Sequence, residues 1–263
     1  MNKIENVKRK TKFNISSKNF KEEIIISGLN FQNEMSIKGN EIDINEKGIT
    51  LNELVPIEVK DKDFELLMSI YEKASNQVLE MINGVQKEYS NIFNKNIINH
   101  TTSRIKAPKS ILNKMKKKNL ELNYKSLVEN INDIAGVRVI CPAKDDVYTI
   151  SKIIEKIPNW NLISTKDYIK NPKKSGYSGY HMIIEVPVKI DEKNGYLKSQ
   201  IFVKVEIQIR TMAMDFWATN EHRMKYKSEK KLSFWDSKRL TIYAKVINAI
   251  DNGLSQINNK QII

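Results

Sequence analysis

The sequence predicts an α+β fold, because helical apolar spacing at both ends of the chain encloses a central region with strand-like alternation. The first helix is predicted from about Asp63, where apolar residues begin to recur at alternating intervals of three and four. The same spacing predicts a last helix from about Leu240. The strand candidates between these helices, rich in β-branched residues, are 137–140, 180–188 and 200–210.

The remaining elements follow from turn residues and shorter periodic runs. Pro108 beside Ser110 marks the start of a helix, because proline favours the first helical turn. An amphipathic helix is predicted at 145–157, a turn at 191–196 and a further helix at 211–225.

The chain divides into two unequal parts. Residues 1–21 have the composition of a basic tail, and 22–60 predict a few short strands separated by glycine and proline. We therefore expect an appendage of unknown role over residues 1–60, followed by one domain over 61–263.

Composition excludes several classes of protein. The chain has 263 residues, of which 40% are hydrophobic, so it can bury a core and is not disordered throughout. It contains no apolar run of about 18 residues, the length that would span a membrane, and no signal sequence is evident. Its one cysteine, Cys141, excludes internal disulfides and a cysteine-cluster zinc site. We expect a soluble, cytoplasmic protein.

Positive charge is concentrated in two segments. Residues 1–21 carry a net charge of +6 and residues 104–118 a net charge of +7, which together equal the net charge of the whole chain, +13. The first segment is typical of a solvated tail. The second is interleaved with apolar residues, so we expect it to be folded, and its charge favours a polyanionic partner such as nucleotide phosphates or RNA.

The strand Val203–Arg210 has one apolar face and one polar face, and the polar face includes Glu206, Gln208 and Arg210. Two interpretations remain open from alternation alone: an ordinary solvent-facing surface, or the floor of a polar cleft. Asp133, just before the strand at 137–140, is either a turn residue or a second carboxylate of that cleft. Two carboxylates with phosphate oxygens would suit a magnesium–nucleotide complex.

The basic segment places a hydroxyl and several cations together. Ser110, Lys114 and Lys117 recur at helical spacing, and Arg104 and Lys106 lie two residues apart in the extended piece before them. This pattern fits either a solvated lysine-rich helix or a triphosphate-binding surface without a glycine loop. The loop over 168–181 adds lysines for phosphate contacts and tyrosines that can stack on a base.

Four segments in register resemble the synthetase domain of RelA/SpoT-type alarmone synthetases, and the short chain resembles the small stand-alone members. These segments are RIKAPKSI, DIAGVRVICP, DYIKNPKKSGYSGYH and VEIQIRTMAMDFWATNEH. The resemblance implies a mixed sheet of about five strands flanked by helices, similar to nucleotidyltransferases. It also implies transfer of the β,γ-pyrophosphate of ATP to the 3′-hydroxyl of GDP or GTP, with GMP as a further acceptor left open.

The resemblance assigns a role to each matching residue of the cleft. Asp133 and Glu206 match the carboxylates of a Mg²⁺ site, and Glu206 also matches the base that accepts the proton of the 3′-hydroxyl. The residues that match the ATP site are Arg104, Lys106, Ser110, Lys114, Lys117 and Arg138. The residues that match the acceptor site are Lys166, Lys173, Tyr177, which stacks on guanine, His181 and Gln208.

Two other functions remain as alternatives. Toxic relatives of the family pyrophosphorylate the 3′ end of tRNA, and the basic tail is compatible with that substrate. A non-catalytic RNA-binding module is the other, although phosphate binding alone gains nothing from carboxylates at both Asp133 and Glu206.

The chain is also expected to form a homo-oligomer, most simply a tetramer, through its last helix and the helix over 63–89. The apolar stripe of the last helix consists of Leu240, Tyr243, Ile247, Ile250, Leu254 and Ile257. The other interpretation of this stripe is that it packs on the protein's own sheet.

Overall fold

The computed structural model describes Ile57 and residues 62–191, 198–226 and 233–260. The helices in these residues are α1 (Lys62–Phe93), α2 (Pro108–Lys117), α3 (Tyr124–Asn130), α4 (Lys144–Glu155), α5 (Met212–Tyr226) and α6 (Phe234–Lys260). The strands are β1 (His100–Ile105), β2 (Ala135–Cys141), β3 (Asn161–Asp167), β4 (Tyr180–Asp191) and β5 (Lys198–Thr211). The predicted appendage over 1–60, except Ile57, lies outside the described residues, as does nearly all of the turn predicted at 191–196.

The five strands form one mixed sheet in the order β1-β2-β5-β4-β3. The central pair, β2 and β5, is parallel, and the other three pairs are antiparallel. The expected α+β class and the mixed five-stranded sheet are therefore confirmed.

One face of the sheet forms the hydrophobic core. Val137 and Val139 of β2 and Val205, Ile207 and Ile209 of β5 are buried, which is the alternation predicted for these strands. The long helix α1 packs on this face with apolar residues at helical spacing, including the fully buried Ala74, Val78, Ile82 and Val85. Because the core occupies this face, the polar residues of the same strands lie on the other one.

The sequence analysis did not identify β3 or α3, and it described β1 only as an extended piece. Six of the seven residues of β3 are exposed, because β3 is an edge strand. Without burial on either face, such a strand has no hydrophobic alternation to detect. The short α3 is capped by Asn123, whose side chain accepts a hydrogen bond from the Ser126 backbone N–H.

The C-terminal helix α6 docks mainly through polar groups, and of its apolar stripe Leu240 and Ile247 are half-buried. Thr211 donates a hydrogen bond to Asp251 at 2.9 Å, and Lys144 Nζ donates to Asn248 at 2.6 Å and Asn252 at 2.5 Å. Most of the stripe is at the solvent side: Tyr243, Ile250, Leu254 and Ile257 are each 56–58% exposed. The interpretation that the whole stripe packs on the protein's own sheet is therefore wrong for these residues.

None of the helices in the described ranges has both the length and the apolar character that a membrane crossing needs.

Candidate active site

The strand register brings six of the thirteen predicted site residues together on the polar face of the sheet. One row across the strands contains Arg104, Gly136 and Glu206, and the next row contains Thr102, Arg138, Gln208, His181 and Lys166. These residues come from all five strands, so their proximity depends on the completed sheet.

Gly136 lies between Arg104 and Glu206 in the first row and contributes no side chain. A Cβ at this position would lie 3.8–3.9 Å from the neighbouring atoms, so a larger residue would fit sterically. Its side chain would, however, project from the polar face of the sheet. Glycine thus keeps an open space between the arginine and the carboxylate.

A cavity of about 670 Å³ lies over this polar face. The predicted site residues that line it are Arg104, Asp133, Arg138, Lys173, Tyr177, Glu206 and Gln208. Its opposite wall comes from α5, through Ala218, Thr219, Glu221, His222 and Arg223. A polar cleft, and not an open surface, is therefore the correct description of the polar face of β5.

Asp133 is held at the edge of this cavity by two lysines. Lys114 Nζ and Lys106 Nζ lie 2.8 and 3.0 Å from its Oδ2 atom. Burial by itself would raise the pKa of Asp133, but the hydrogen bonds from the two lysines outweigh that effect and the pKa is lowered. The other oxygen, Oδ1, is buried and has no hydrogen-bond partner in the structure.

Ser110 and Lys117 lie on the same helix as Lys114 and are exposed. Neither residue lines the cavity, and Lys166, on the edge strand β3, is also exposed. Lys106 and Lys114 do not line the cavity either, but both contact Asp133, which does.

Glu206 has a hydrogen-bond partner on each carboxylate oxygen. His181 Nδ1 lies 2.9 Å from Oε1, and Gln208 Nε2 donates to Oε2 at 2.8 Å. Burial would raise the pKa of Glu206, but the hydrogen bonds from His181 and Gln208 lower it overall, while the charge of Asp133 acts in the opposite direction. Glu206 is therefore an ionised carboxylate, and Asp133 is the second carboxylate near it.

Arg210 and Asp215 extend the polar network beyond Glu206. Arg210 is only 6% exposed, and its Nη1 donates to Asp215 at 2.9 Å. The same Asp215 oxygen lies 3.6 Å from Arg138 Nε, so one carboxylate serves two guanidinium groups. Burial, and next the charge of Arg210, lower the pKa of Arg138.

Tyr177 lies in the loop that connects β3 to β4, close to the start of β4. It is 8% exposed, and its hydroxyl lies 2.5 Å from His181 Nε2. Lys173 Nζ lies 4.7 Å from the centroid of the Tyr177 ring and 4.5 Å from that of Tyr168. The predicted stacking residue is thus covered by an exposed lysine of the same loop.

Gly176 fixes the contact between this loop and α6. Its φ of +88° is in the region that favours glycine, and a Cβ there would lie 2.3 Å from the Cβ of Ala244. Ala244 belongs to a small buried cluster with Tyr177, Trp217 and Ala218, and Ile247 packs against it. The inner side of α6 therefore supports the loop that carries Tyr177.

Comparisons with known proteins agree with this arrangement. The family model of the region found in RelA and SpoT proteins matches residues 103–231. GTP pyrophosphokinase YwaC of Bacillus subtilis (strain 168) is 39% identical over 166 residues, which cover 63% of this chain and 76% of YwaC. The chain belongs to the RelA/SpoT family.

A second relative and a solved structure extend the similarity of this RelA/SpoT-family chain. GTP pyrophosphokinase YjbM of the same organism is 30% identical over 200 residues, covering 76% of this chain and 90% of YjbM. The crystal structure of small alarmone synthetase 1 from Bacillus subtilis bound to its product pppGpp is similar with a TM-score of 0.68. It is 30% identical and covers 76% of this chain and 98% of that one. The family predicted from the sequence motifs is confirmed.

Sequence reasoning missed several residues of the site in this RelA/SpoT-family chain. Arg210 was noted on the polar face of β5 but was given no role, and Asp215, His222 and Arg223 were not identified. The signal for Arg210 and Asp215 was their position directly after Glu206 and Gln208, where the strand passes into α5. No hydrophobic periodicity marks His222 and Arg223, because both are exposed polar residues of α5.

Proposed function

We propose that this RelA/SpoT-family chain transfers the β,γ-pyrophosphate of ATP to the 3′-hydroxyl of GDP or GTP, producing ppGpp or pppGpp and AMP. The observation that carries the proposal is that Asp133 and Glu206 line one cavity together with Arg104 and Arg138. The names of YwaC and YjbM, and the pppGpp bound to small alarmone synthetase 1, support the same reaction.

The ATP site occupies the β1–β2 side of the cavity. Arg104 and Arg138 lie on neighbouring strands in adjacent rows, so their guanidinium groups can enclose an adenine ring. Lys106 and Lys114, together with Ser110 and Lys117 farther along α2, hold the phosphates. A polyphosphate needs several cations because its charge is spread over many oxygens.

The acceptor site occupies the β4–β5 side. Tyr177 stacks on guanine, and Lys173, which is exposed, moves from the tyrosine ring to the acceptor phosphates. Lys166 and His181 are paired across β3 and β4 and, with Gln208, surround the ribose and phosphates. The acceptor hydroxyl is thereby directed toward Glu206, which lies in the adjacent row.

Asp133 and Glu206 are suited to hold Mg²⁺. Asp133 Oδ1 is buried without a partner, which is an atom that a cation would satisfy, and the two carboxylates are close enough for the charge of one to raise the pKa of the other. In the described residues no group of three or more candidate metal ligands occurs, so phosphate oxygens and water complete the coordination. When bound, the metal neutralises the polyphosphate and polarises its bonds.

The chain's own residues direct a nucleophilic substitution at the β-phosphorus of ATP. The 3′-oxygen of the acceptor forms a bond to that phosphorus, the bond from the phosphorus to the AMP oxygen breaks, and AMP leaves. Glu206 accepts the proton of the 3′-hydroxyl, while the lysines of α2 stabilise the charge on the transferred group.

Pyrophosphorylation of the 3′ end of tRNA was the alternative, and the relatives named above give it no support. A direct experiment separates the acceptors: the protein is incubated with ATP, Mg²⁺ and one of GMP, GDP, GTP or tRNA, and the products are identified by mass. We expect pyrophosphate transfer to GDP or GTP. Transfer to tRNA alone would contradict the proposal.

The Glu206→Gln substitution tests the catalytic assignment. It retains the shape of the side chain and removes its charge, so we expect at least about a 100-fold loss in kcat. Glu185→Gln, on the adjacent strand and outside the cavity lining, is the matched control and should remain active. Wild-type turnover in Glu206→Gln would contradict the assignment of the base.

We also propose that residues 61–263 form the synthetase domain and that the protein assembles into a homotetramer. The exposed apolar side of α6, which includes Tyr243, Ile250 and Leu254, supports the second part, because patches of this kind commonly mark interfaces. The basic residues around α2 support a separate proposal, a contact with RNA.

A further inference from the structure

Five side chains, one of which is Glu206, form a closed ring of hydrogen bonds. Arg210 donates to the Tyr177 hydroxyl through Nε at 3.2 Å and Nη2 at 2.7 Å, and Nη2 also lies 2.7 Å from Gln208 Oε1. Gln208 donates to Glu206, His181 Nδ1 contacts Glu206, and His181 Nε2 contacts the Tyr177 hydroxyl. The ring therefore returns to Arg210 through Tyr177.

The number of donors and acceptors in the ring determines where the proton of His181 lies. Glu206 is ionised and can only accept, so His181 Nδ1 carries the proton and donates it. The Tyr177 oxygen already accepts two hydrogen bonds from Arg210, which use its two lone pairs. Its own proton is then directed to His181 Nε2, which must be unprotonated to accept it.

Arg210 is the fixed member of this ring. It is nearly fully buried, and Asp215 holds its Nη1, so the guanidinium cannot rotate away without losing several hydrogen bonds. Burial also raises the pKa of Tyr177, although Arg210 partly offsets the effect, so the phenol remains a hydrogen-bond donor.

We propose that the Tyr177 hydroxyl, held by Arg210, fixes the His181 ring with Nδ1 directed at Glu206, and that this arrangement orients the Glu206 carboxylate for proton transfer. The inference rests on the proposed function for its catalytic consequence, but the arrangement itself is a property of the protein alone. Tyr177 then has two separable roles: its ring contacts the acceptor, and its hydroxyl positions the base. Arg210 is a positioning residue.

The Tyr177→Phe substitution separates these roles because it keeps the ring and removes the hydroxyl. Residues that orient a directly acting group typically change activity by about 10- to 100-fold, and we expect a loss of that size in kcat with less than about a threefold change in acceptor KM. Tyr168→Phe is the matched control, since the Tyr168 ring packs edge-on to His181 at 5.3 Å without belonging to the ring of hydrogen bonds. An equal loss of kcat in both variants, or none in Tyr177→Phe, would overturn the proposal.

Substitutions of His181 test which of its nitrogens acts on Glu206. The amide nitrogen of asparagine falls near the position of Nδ1, whereas that of glutamine falls near the position of Nε2. We therefore expect His181→Asn to retain about tenfold more kcat than His181→Gln, because only asparagine can still donate to Glu206. The reverse order would overturn the proposal.

A spectroscopic measurement is independent of the reaction. The chain has three histidines, so ¹⁵N spectra of histidine-labelled protein can be assigned by loss of one signal set in His181→Asn. We expect the Nδ1 nitrogen of His181 to carry a proton, because it contacts the Glu206 carboxylate. A spectrum in which Nδ1 carries no proton would overturn the inference. Absence of product with every acceptor would instead contradict the proposed function, while the spectra would still test the ring.

Discussion

Substitution of Gly176 by alanine should weaken acceptor binding through the contact between the acceptor loop and α6. The new Cβ would lie 2.3 Å from the Cβ of Ala244. Carbon atoms in contact are separated by about 3.5–4.0 Å, so the loop and the helix would have to separate by more than about 1 Å. Because Tyr177 follows Gly176 directly, this movement would displace the stacking residue.

The magnitude follows from two separate costs. An L-residue in the left-handed region costs about 1–2 kcal/mol, and overpacking of this kind costs about 1–3 kcal/mol. The two costs sum to about 2–5 kcal/mol, and since 1.4 kcal/mol corresponds to about a factor of ten, we expect the acceptor KM to rise by at least about 30-fold. The KM for ATP should change by less than about twofold, because the proposed ATP site is on the β1–β2 side of the cavity, away from the acceptor loop.

Ala244→Gly provides a compensating variant. In the double variant the Ala244 methyl is absent, and the other atoms near the new Cβ are Trp217 Cζ2 at 3.6 Å and the Cα of residue 244 at 3.8 Å, which are ordinary contacts. Only the backbone cost of Gly176→Ala should then remain, together with about 1 kcal/mol for glycine within the helix.

Steady-state kinetics of the two single variants and the double variant measure this coupling. We expect the double variant to recover roughly tenfold in acceptor KM relative to Gly176→Ala, which corresponds to a favourable interaction energy within the range seen for residues in contact. Additive effects of the two substitutions, or an unchanged acceptor KM in Gly176→Ala, would refute the argument that α6 supports the loop.

Three further predictions concern the Tyr177 side chain, the Asp133 carboxylate and the exposed apolar side of α6. Tyr177→Ala should raise acceptor KM by about 5- to 150-fold, since base stacking contributes about 1–3 kcal/mol, and should leave ATP KM unchanged; the opposite pattern would exchange the two sites. The lowered pKa of Asp133 means that its ionised form stabilises the fold above about pH 4 and that this contribution is lost as the pH falls through the folded-state pKa. The difference in Tm between wild type and Asp133→Asn should therefore shrink on acidification, and a constant difference would contradict the assignment. Ile250→Asp with Leu254→Asp should reduce the mass in light scattering to that of a monomer or dimer while circular dichroism stays near native; Ile247 is left intact because it packs on the Tyr177 cluster. A wild-type protein that is already monomeric at micromolar concentration would contradict the proposed assembly.

The elements that could be predicted from the sequence are those with one buried face and one exposed face. The first helix was expected from about Asp63 and begins at Lys62, and the polar and apolar faces of β5 were assigned correctly. Such elements carry a clear period because one face contacts the core and the other does not. The edge strand β3 lacks this contrast, so no local pattern could identify it.

The apolar stripe of α6 shows a different limit of sequence reasoning. Its spacing predicted a helix, which is correct, but spacing does not state which surface the stripe covers. The docked side of α6 is instead made by Ala244, Asp251 and Ser255, which are small or polar. Their contacts with Lys144 and Thr211 join positions about 40 to 110 residues apart along the chain, and no local pattern reports them.

Arg210 shows the same limit within the active site. Alternation along β5 placed it on the polar face, where solvent exposure was the simplest expectation. It is buried because α5 turns back over the end of the strand and because Tyr177, 33 residues away in the chain, accepts its hydrogen bonds. The chemical identity of the site was recognisable from motifs, whereas the network that holds it depends on tertiary structure.

The contact between Gly176 and Ala244 bears on how much of the chain forms the functional unit. The family model matches only as far as residue 231, but the surface that supports the acceptor loop lies beyond it, on α6. The boundary of the family model is therefore not the boundary of the functional unit. A synthetase cut to residues 103–231 would keep every residue assigned to the reaction and lose one wall of its acceptor site.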